Sequence, residues 1–161
     1  MAKKEKAALE QAIGMLTADH DEVDEMLGEY RKLMDYEAPA SKRKALATRI
    51  CDALTRHAEL EETVFYPAAR AVLPEDSEDI MDHSDVEHAT LKGLIERITT
   101  AKGDDPHFDA YVHVLGEYVK HHVQEEEDEM FSELRKQGPD MADALKKMKA
   151  FKAKADKAAA R

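Results

Sequence analysis

The sequence predicts an all-α protein: an antiparallel up-down-up-down four-helix bundle with a short C-terminal tail helix. Three observations lead there. The 161 residues include only 6 Gly and 5 Pro, no Trp and 6% aromatics, a composition suited to helices. Long stretches repeat apolar residues at three-to-four spacing, the period of an amphipathic helix. Four such stretches are joined by short connections, which favour antiparallel neighbours. The length suits one core-bearing domain. We place the bundle at residues 1–138 and a basic helical tail at residues 139–161.

The first helix is expected over about residues 5–36, with Leu9, Ile13, Leu16, His20, Val23, Leu27 and Met34 on one stripe. Pro39 ends it, and Ser41 is a plausible N-cap for the second helix, over about 42–73. Ile50, Leu54, His57, Glu61 and Val64 or Phe65 share its inner face. Pro67, inside this segment, should kink it or end its regular part. Asp76 or Ser77 caps a third helix, about 77–101, with Met81, His88, Leu91, Ile95 and Ile98 inward. Gly103 signals its C-cap, and Pro106 sits in the first turn of a fourth helix, about 106–137. Phe108, Val112, Leu115, Val119, His122, Glu126 and Met130 line that helix, and Gly138-Pro139 stops it. The tail helix spans about 140–158.

Charge and punctuation exclude several classes of function. A net charge of -11 repels phosphate backbones, so nucleic acid is not an expected partner. No apolar run approaches the ~18 residues that span a bilayer, so no membrane partner is expected. MAKKEKAALEQ lacks the apolar centre of a signal peptide. The single cysteine, Cys51, fits a reducing compartment and a small buried apolar role. The expected location is the cytoplasm. The basic stretch KKMKAFKAKADKAAAR reads as a solvated helical tail.

Chemistry enters with a motif that occurs twice, HAELEETVFYP at 57–67 and HVQEEEDEMFS at 122–132. Each places a Glu four residues after a His, so His57 with Glu61, and His122 with Glu126, share a helix face one turn apart. Each motif follows an inward His on the preceding helix, His20 before His57 and His88 before His122. The halves thus repeat the order His, then His-xxx-Glu, which predicts approximate two-fold symmetry. Six polar groups on four apolar stripes need a strong reason, because unpaired buried carboxylates cost several kcal/mol. A pair of cations supplies one. Glu61 and Glu126 would bridge two metals, and the four histidines would divide two to each. Nitrogen and oxygen donors without thiolate suit iron or manganese, with zinc possible.

DHDEVDEML, RHAELEETVFYP, VEHATLKGL and HHVQEEEDEMF, in this order over residues 17 to about 135, resemble the hemerythrin-like (HHE cation-binding) family. The resemblance implies a left-handed antiparallel four-helix bundle around two iron ions, an oxo- or hydroxo-bridged non-haem centre. It also implies that His20, His57, Glu61, His88, His122 and Glu126 are the metal ligands. One position departs from oxygen-carrying members, which have a further His four residues before the one matching His88. Ser84 stands there, and His83 lies about 140° round the helix from His88.

These features lead to a protein that binds dioxygen or another small diatomic or peroxide ligand, in oxygen or redox sensing or storage. The alternatives are a di-iron enzyme acting on peroxide or nitric oxide, and an iron-handling or iron-donor protein. No acid or base beyond the ligands marks a defined reaction. His121 points about 100° away from His122 and is expected outside the metal's ligands, with His107 and His113 at the surface. Glu62 and Glu127 are expected to be solvated or to orient a ligand imidazole. Asp24, with a short side chain and no counterpart after His88, is expected outside the site. Tyr30, Tyr66 and Tyr118 are expected as core or rim aromatics.

Overall fold

The computed structural model describes residues 2–102 and 104–161. The Gly103 C-cap lies outside the described residues. Among these residues the chain is all-helical. Helix α1 is Ala2–Asp35. Helix α2 runs as Ala40–Leu60, a π-helical turn Glu61–Phe65 and a final stretch Tyr66–Arg70. After a 3₁₀ turn at Glu75–Ser77, α3 is Glu78–Thr100. Helix α4 runs as Phe108–Glu125, a second π-helical turn Glu126–Met130, and Phe131–Gln137. Helix α5 is Ala142–Ala159.

The helix ends follow local chemistry, with small departures from the expectations. Gly138 closes α4 in the left-handed conformation at φ 60°, its N–H donating to Leu134 O at 2.8 Å. Helix α1 ends through Glu37, at φ 50°. There Glu37 N–H donates to Met34 O and Ala38 N–H to Leu33 O, the paired bonds of a Schellman turn. Ser41 is not the cap of α2; the helix starts two residues earlier than expected, at Ala40, with Pro39 in the capping position at ψ 142°. Ser77 does occupy the N-cap of α3 but makes no side-chain capping bond. Pro106 lies before α4 rather than in its first turn, and the Asp105 carboxylate accepts the His107 N–H at 2.8 Å.

Helices α1 to α4 form a bundle in which each packs on its chain neighbours and α4 closes back onto α1. The predicted stripes are buried, apart from Met34, which is exposed, and Ile95, which is half-buried. They form two apolar clusters. One gathers Leu16, Leu60, Phe65, Met81 and Phe131; the other gathers Val23, Leu54, Leu91, Leu115 and Val119. The polar residues of the repeated motif sit between the two.

Two findings correct the sequence reading. Pro67 is expected to kink α2 or end its regular part, but the regular part is interrupted before it and resumes as Tyr66–Arg70. The local irregularity is the π-helical turn, closed by Tyr66 N–H donating to Glu61 O. An identical turn begins at Glu126, closed by Phe131 N–H to Glu126 O, with no proline near it. The distortion therefore belongs to the motif and not to Pro67. Each wide turn brings two successive residues inward, Phe65 with Tyr66 and Met130 with Phe131. The basic tail is also not simply solvated. Helix α5 packs on α1 and α2 and buries Met141, Ala144, Leu145 and Met148 in the first cluster. Its lysines hide the apolar stripe in the composition, while the three-to-four spacing of these residues survives.

Met148, fully buried, should cost about 2–5 kcal/mol when truncated to Ala. Lys147→Ala, on the exposed face, should stay within about 0.5 kcal/mol. Equal effects of the two in thermal unfolding would show that α5 is no part of the core.

Candidate metal centre

The centre is built from one turn of each bundle helix. His20 follows Leu16 on α1, His57 and Glu61 follow Leu54 on α2, His88 precedes Leu91 on α3, and His122 and Glu126 follow Val119 on α4. The apolar spacing that buries each stripe buries these residues with it, and all six are 0–7% exposed. The structure brings together every residue singled out from the repeated motif.

They converge as two histidine pairs. His20 and His57 approach with Nε2 atoms 3.1 Å apart, and His88 and His122 with Nε2 atoms 3.2 Å apart. Glu61 lies between the pairs, with Oε1 2.8 Å from His57 Nε2 and Oε2 3.1 Å from His88 Nε2. Glu126 Oε2 lies 3.6 Å from His20 Nε2 and 3.5 Å from His122 Nε2. Ligand atoms of His20, His57, Glu61 and Glu126 form one compact group, and those of Glu61, His88 and His122 a second. Glu61 belongs to both.

Each imidazole is held from behind by a carboxylate. His20 Nδ1 meets Glu127 at 2.9 Å, His57 Nδ1 meets Asp19 at 3.0 Å, His88 Nδ1 meets Glu62 at 2.9 Å, and His122 Nδ1 meets Glu87 at 2.6 Å. A carboxylate behind Nδ1 places the proton there and leaves an Nε2 lone pair pointing inward. Glu62 and Glu127 thus orient imidazoles. Asp19 and Glu87 were missed by the sequence reading, although a signal was present. Each half carries an acid-His doublet, Asp19-His20 and Glu87-His88, and a Glu-Glu doublet, Glu61-Glu62 and Glu126-Glu127. The acid before the lone His serves the His-xxx-Glu imidazole of its own half. The second Glu of each doublet crosses to the other half.

This arrangement tests whether a metal fits. With a carboxylate behind every Nδ1, the Nε2 atoms are directed inward and face one another at 3.1 and 3.2 Å. Glu61 Oε1 and both oxygens of Glu126 have no hydrogen-bond partner. Donors about 2.1 Å from one cation and at right angles stand about 3 Å apart, which is the spacing of these atoms. The donor set fits cations.

Tyr66, expected as core, also reaches the site. Its hydroxyl lies 3.1 Å from His88 Nε2 and 3.4 Å from Glu61 Oε2. At the equivalent place in the second half stands Phe131, whose ring stacks parallel to His20 with centroids 6.3 Å apart. Ser84 is buried and donates to Ile80 O, while His83 is exposed and away from the centre. His107, His113, His121 and Asp24 are exposed, as expected. A cavity of about 40 Å³ abuts the four imidazoles, walled by Leu54, Leu91, Ile95, Val119 and Val123. A space of this size holds a small guest, since about 10–15 Å³ by the same measure admits a water.

The electrostatics favour positive charge. Burial pushes the His57 imidazole down, but the Glu61 charge beside it and the hydrogen bond to Asp19 override this and lift it to about 10. His20 is raised in the same way, burial being outweighed by Glu126, and His88 likewise by Glu61. Burial and the Glu61 charge raise Glu126, while His57 holds Glu61 well below the usual carboxylate range despite burial. Two apposed carboxylates do not both ionise unless a cation stands between them.

The sign of the pH dependence follows. The proton on His57 stabilises the chelator-stripped protein fully below about 6.5, and this is lost as pH rises through about 10; His20 and His88, also raised, act in the same direction. The loaded protein should run the other way on the acid side, because ligands must shed protons to hold a metal. Melting temperatures of both forms from pH 5 to 10 test this; parallel curves would refute it.

The hemerythrin HHE cation binding domain pattern matches residues 11–134, a span containing all six converging residues. A DNA nickase of Nostoc sp. (strain PCC 7120 / SAG 25.82 / UTEX 2576) is 30% identical over 122 residues, 75% of this chain and 32% of the relative. The chain therefore spans about a third of that relative's length. No solved structure matches. With the domain pattern covering most of the sequence, the chain belongs to the hemerythrin HHE cation-binding domain family.

Proposed function

We propose that His20, His57, Glu61, His88, His122 and Glu126 hold two iron ions, and that the protein binds dioxygen or a related small molecule beside them for oxygen or redox sensing or storage. The observation that carries this reading is the pair of facing imidazole couples spanned by Glu61, with one oxygen toward each. Iron bound there would supply one-electron redox chemistry and positions for a small ligand. The chain supplies the rest. Glu127, Asp19, Glu62 and Glu87 fix the tautomer and orientation of the four imidazoles. The apolar cavity excludes bulk water and limits the guest to a few atoms. The same reading takes α1 to α4 as an up-down-up-down antiparallel bundle, consistent with short connections and packing between chain neighbours.

A second reading, turnover of peroxide or nitric oxide, is favoured by Tyr66, which brings a hydroxyl to the His88 side that Phe131 does not bring to the other. The activity in the name of the Nostoc relative is not extended to this chain. A net charge of -11 opposes phosphate backbones, and the converging residues lie too deep for a duplex. No helix among the described residues is long and apolar enough to cross a membrane. A lone buried Cys51 is consistent with the reducing cytoplasm.

Protein from iron-replete cells should carry about two irons per chain and change its visible spectrum reversibly as oxygen is removed and restored. Glu61→Ala should lose iron and melt at lower temperature. Wild-type protein without bound iron, or Glu61→Ala protein with a full complement, contradicts the assignment.

Tyr66→Phe separates the two roles. If the site turns over peroxide or nitric oxide with the phenol as proton donor, the rate should drop about 10²–10⁴-fold with iron content unchanged. If the site only binds, the oxygen-dependent spectral change should survive and no turnover should be present to lose.

A further inference from the structure

Outside the buried centre, one other group of metal-binding side chains converges among the described residues: Glu87, His121 and Glu125. His121 and Glu125 repeat the His-xxx-Glu spacing one residue ahead of His122 and Glu126, and so face outward from the same helix. His121 Nε2 lies 3.2 Å from Glu125 Oε1 and 3.5 Å from Glu87 Oε1. Glu87 is buried, Glu125 half-buried and His121 exposed, so the group opens to solvent. Glu87 divides its oxygens. Oε2 holds His122 Nδ1 at 2.6 Å, and Oε1 faces this outer cluster.

The pseudo-symmetry of the chain shows what such an oxygen attracts. In the first half Asp19 stands where Glu87 stands in the second, with one oxygen on His57 Nδ1. Its other oxygen is taken by the ammonium of Lys152, brought in by α5. Residues 56 and 60, which match His121 and Glu125, are Arg56 and Leu60, so no ligand pair forms there. In the second half no lysine or arginine among the described residues pairs with Glu87. Instead an imidazole and a second carboxylate are added. The first half thus fills its outer position with a fixed cation, and the second half builds a three-donor cradle at the corresponding place.

We propose that Glu87, His121 and Glu125 form an exterior site for a divalent first-row transition ion. One imidazole and two carboxylates suit manganese(II), iron(II) or zinc, with remaining positions open to water. The exterior ion and the buried His122 then share one carboxylate. A cation on Oε1 draws charge from Glu87 and makes it a weaker acceptor for His122 Nδ1. The outer site is thereby coupled to the inner one without touching it.

The test is a calorimetric titration of the purified, metal-loaded full-length protein with zinc, followed by metal counting. Wild type should take up one equivalent beyond its resident ions. His121→Ala and Glu125→Gln, both outside the buried centre, should each lose that equivalent and keep the resident ions. His113→Ala, which removes an exposed His-xxx-Glu pair with a 3.4 Å contact to Glu117 and no third donor, should retain it. If His121 serves only as a protonated partner of the two carboxylates, wild type takes up no further zinc and the proposal is overturned. Uptake that persists in both His121→Ala and Glu125→Gln overturns it equally. Protein lacking resident ions but still showing the His121-dependent equivalent would refute the buried centre and leave this site standing.

Discussion

Two carboxylates with almost no exposure, Glu61 and Glu126, set the terms for the rest of this structure. They lie between two apolar clusters, far from the solvation that would stabilise their charge. Burying one ion costs several kcal/mol, and placing a second like charge beside it adds to that cost. Hydrogen bonds do not offset it, since three of the four oxygens have no such partner. What surrounds them is a shell of four inward Nε2 atoms, which stand beside the carboxylates either carrying protons or sharing a cation with them. Only positive charge at the centre reconciles carboxylates, converging imidazoles and apolar walls. The acids behind the imidazoles extend the same logic, holding each ring so that its donor atom points to that charge.

The sequence displayed much of this because burial and chemistry share a period. His20, His57, His88 and His122 fall on stripes defined by apolar neighbours, so a reading of the core is also a reading of the site. Asp19 and Glu87 are different. Each sits one position, about 100°, before an inward His, off the stripe and pointing toward the next helix. Their partners are fixed by how adjacent helices approach, which one-helix periodicity does not contain. The wide turns at Glu61 and Glu126 are hidden for another reason. Thr63, Val64 and Phe65 weaken a helix only slightly and no Gly or Pro lies from Glu61 to Phe65, so the extra residue is accommodated by tertiary packing. Tyr66 follows from that turn: with Phe65 already inward, its neighbour becomes a core residue only where the helix widens. Helix α5 is expected as a helix, but its docking is obscured by its lysines, which dominate composition while Met141, just before it, and Leu145 and Met148 enter the core.

The wide turns also explain how one helix serves two demands. The residues before them align His and Glu one turn apart, as a regular helix requires. The residues after them close the apolar floor with paired side chains, Phe65 and Tyr66 in one half, Met130 and Phe131 in the other. Phe65 and Phe131 meet edge to face with centroids 5.8 Å apart, so the two floors join directly. π-Helical turns inside α-helices occur often at functional sites. Here they begin at the two glutamates themselves, so the backbone irregularity and the buried charge coincide.

The two-fold repeat is balanced in one respect and broken in another. Each imidazole pair has one supporting acid tied to a lysine and one that is not. Asp19 is tied to Lys152 and Glu62 to Lys92, whereas no lysine or arginine among the described residues pairs with Glu127 or Glu87. Each pair therefore combines one imidazole whose supporting acid is shared with a lysine and one whose acid is not. The two tied acids come from the same half of the chain, yet they serve different pairs because Glu62 crosses over to His88. Crossing of the second Glu in each doublet is therefore what equalises the two sides. Against that balance, Tyr66 opposite Phe131 gives the His88–His122 side a polar hydrogen that the other lacks. The two imidazole pairs are thus alike in their supporting acids but unlike in one phenol, so they are not chemically equivalent.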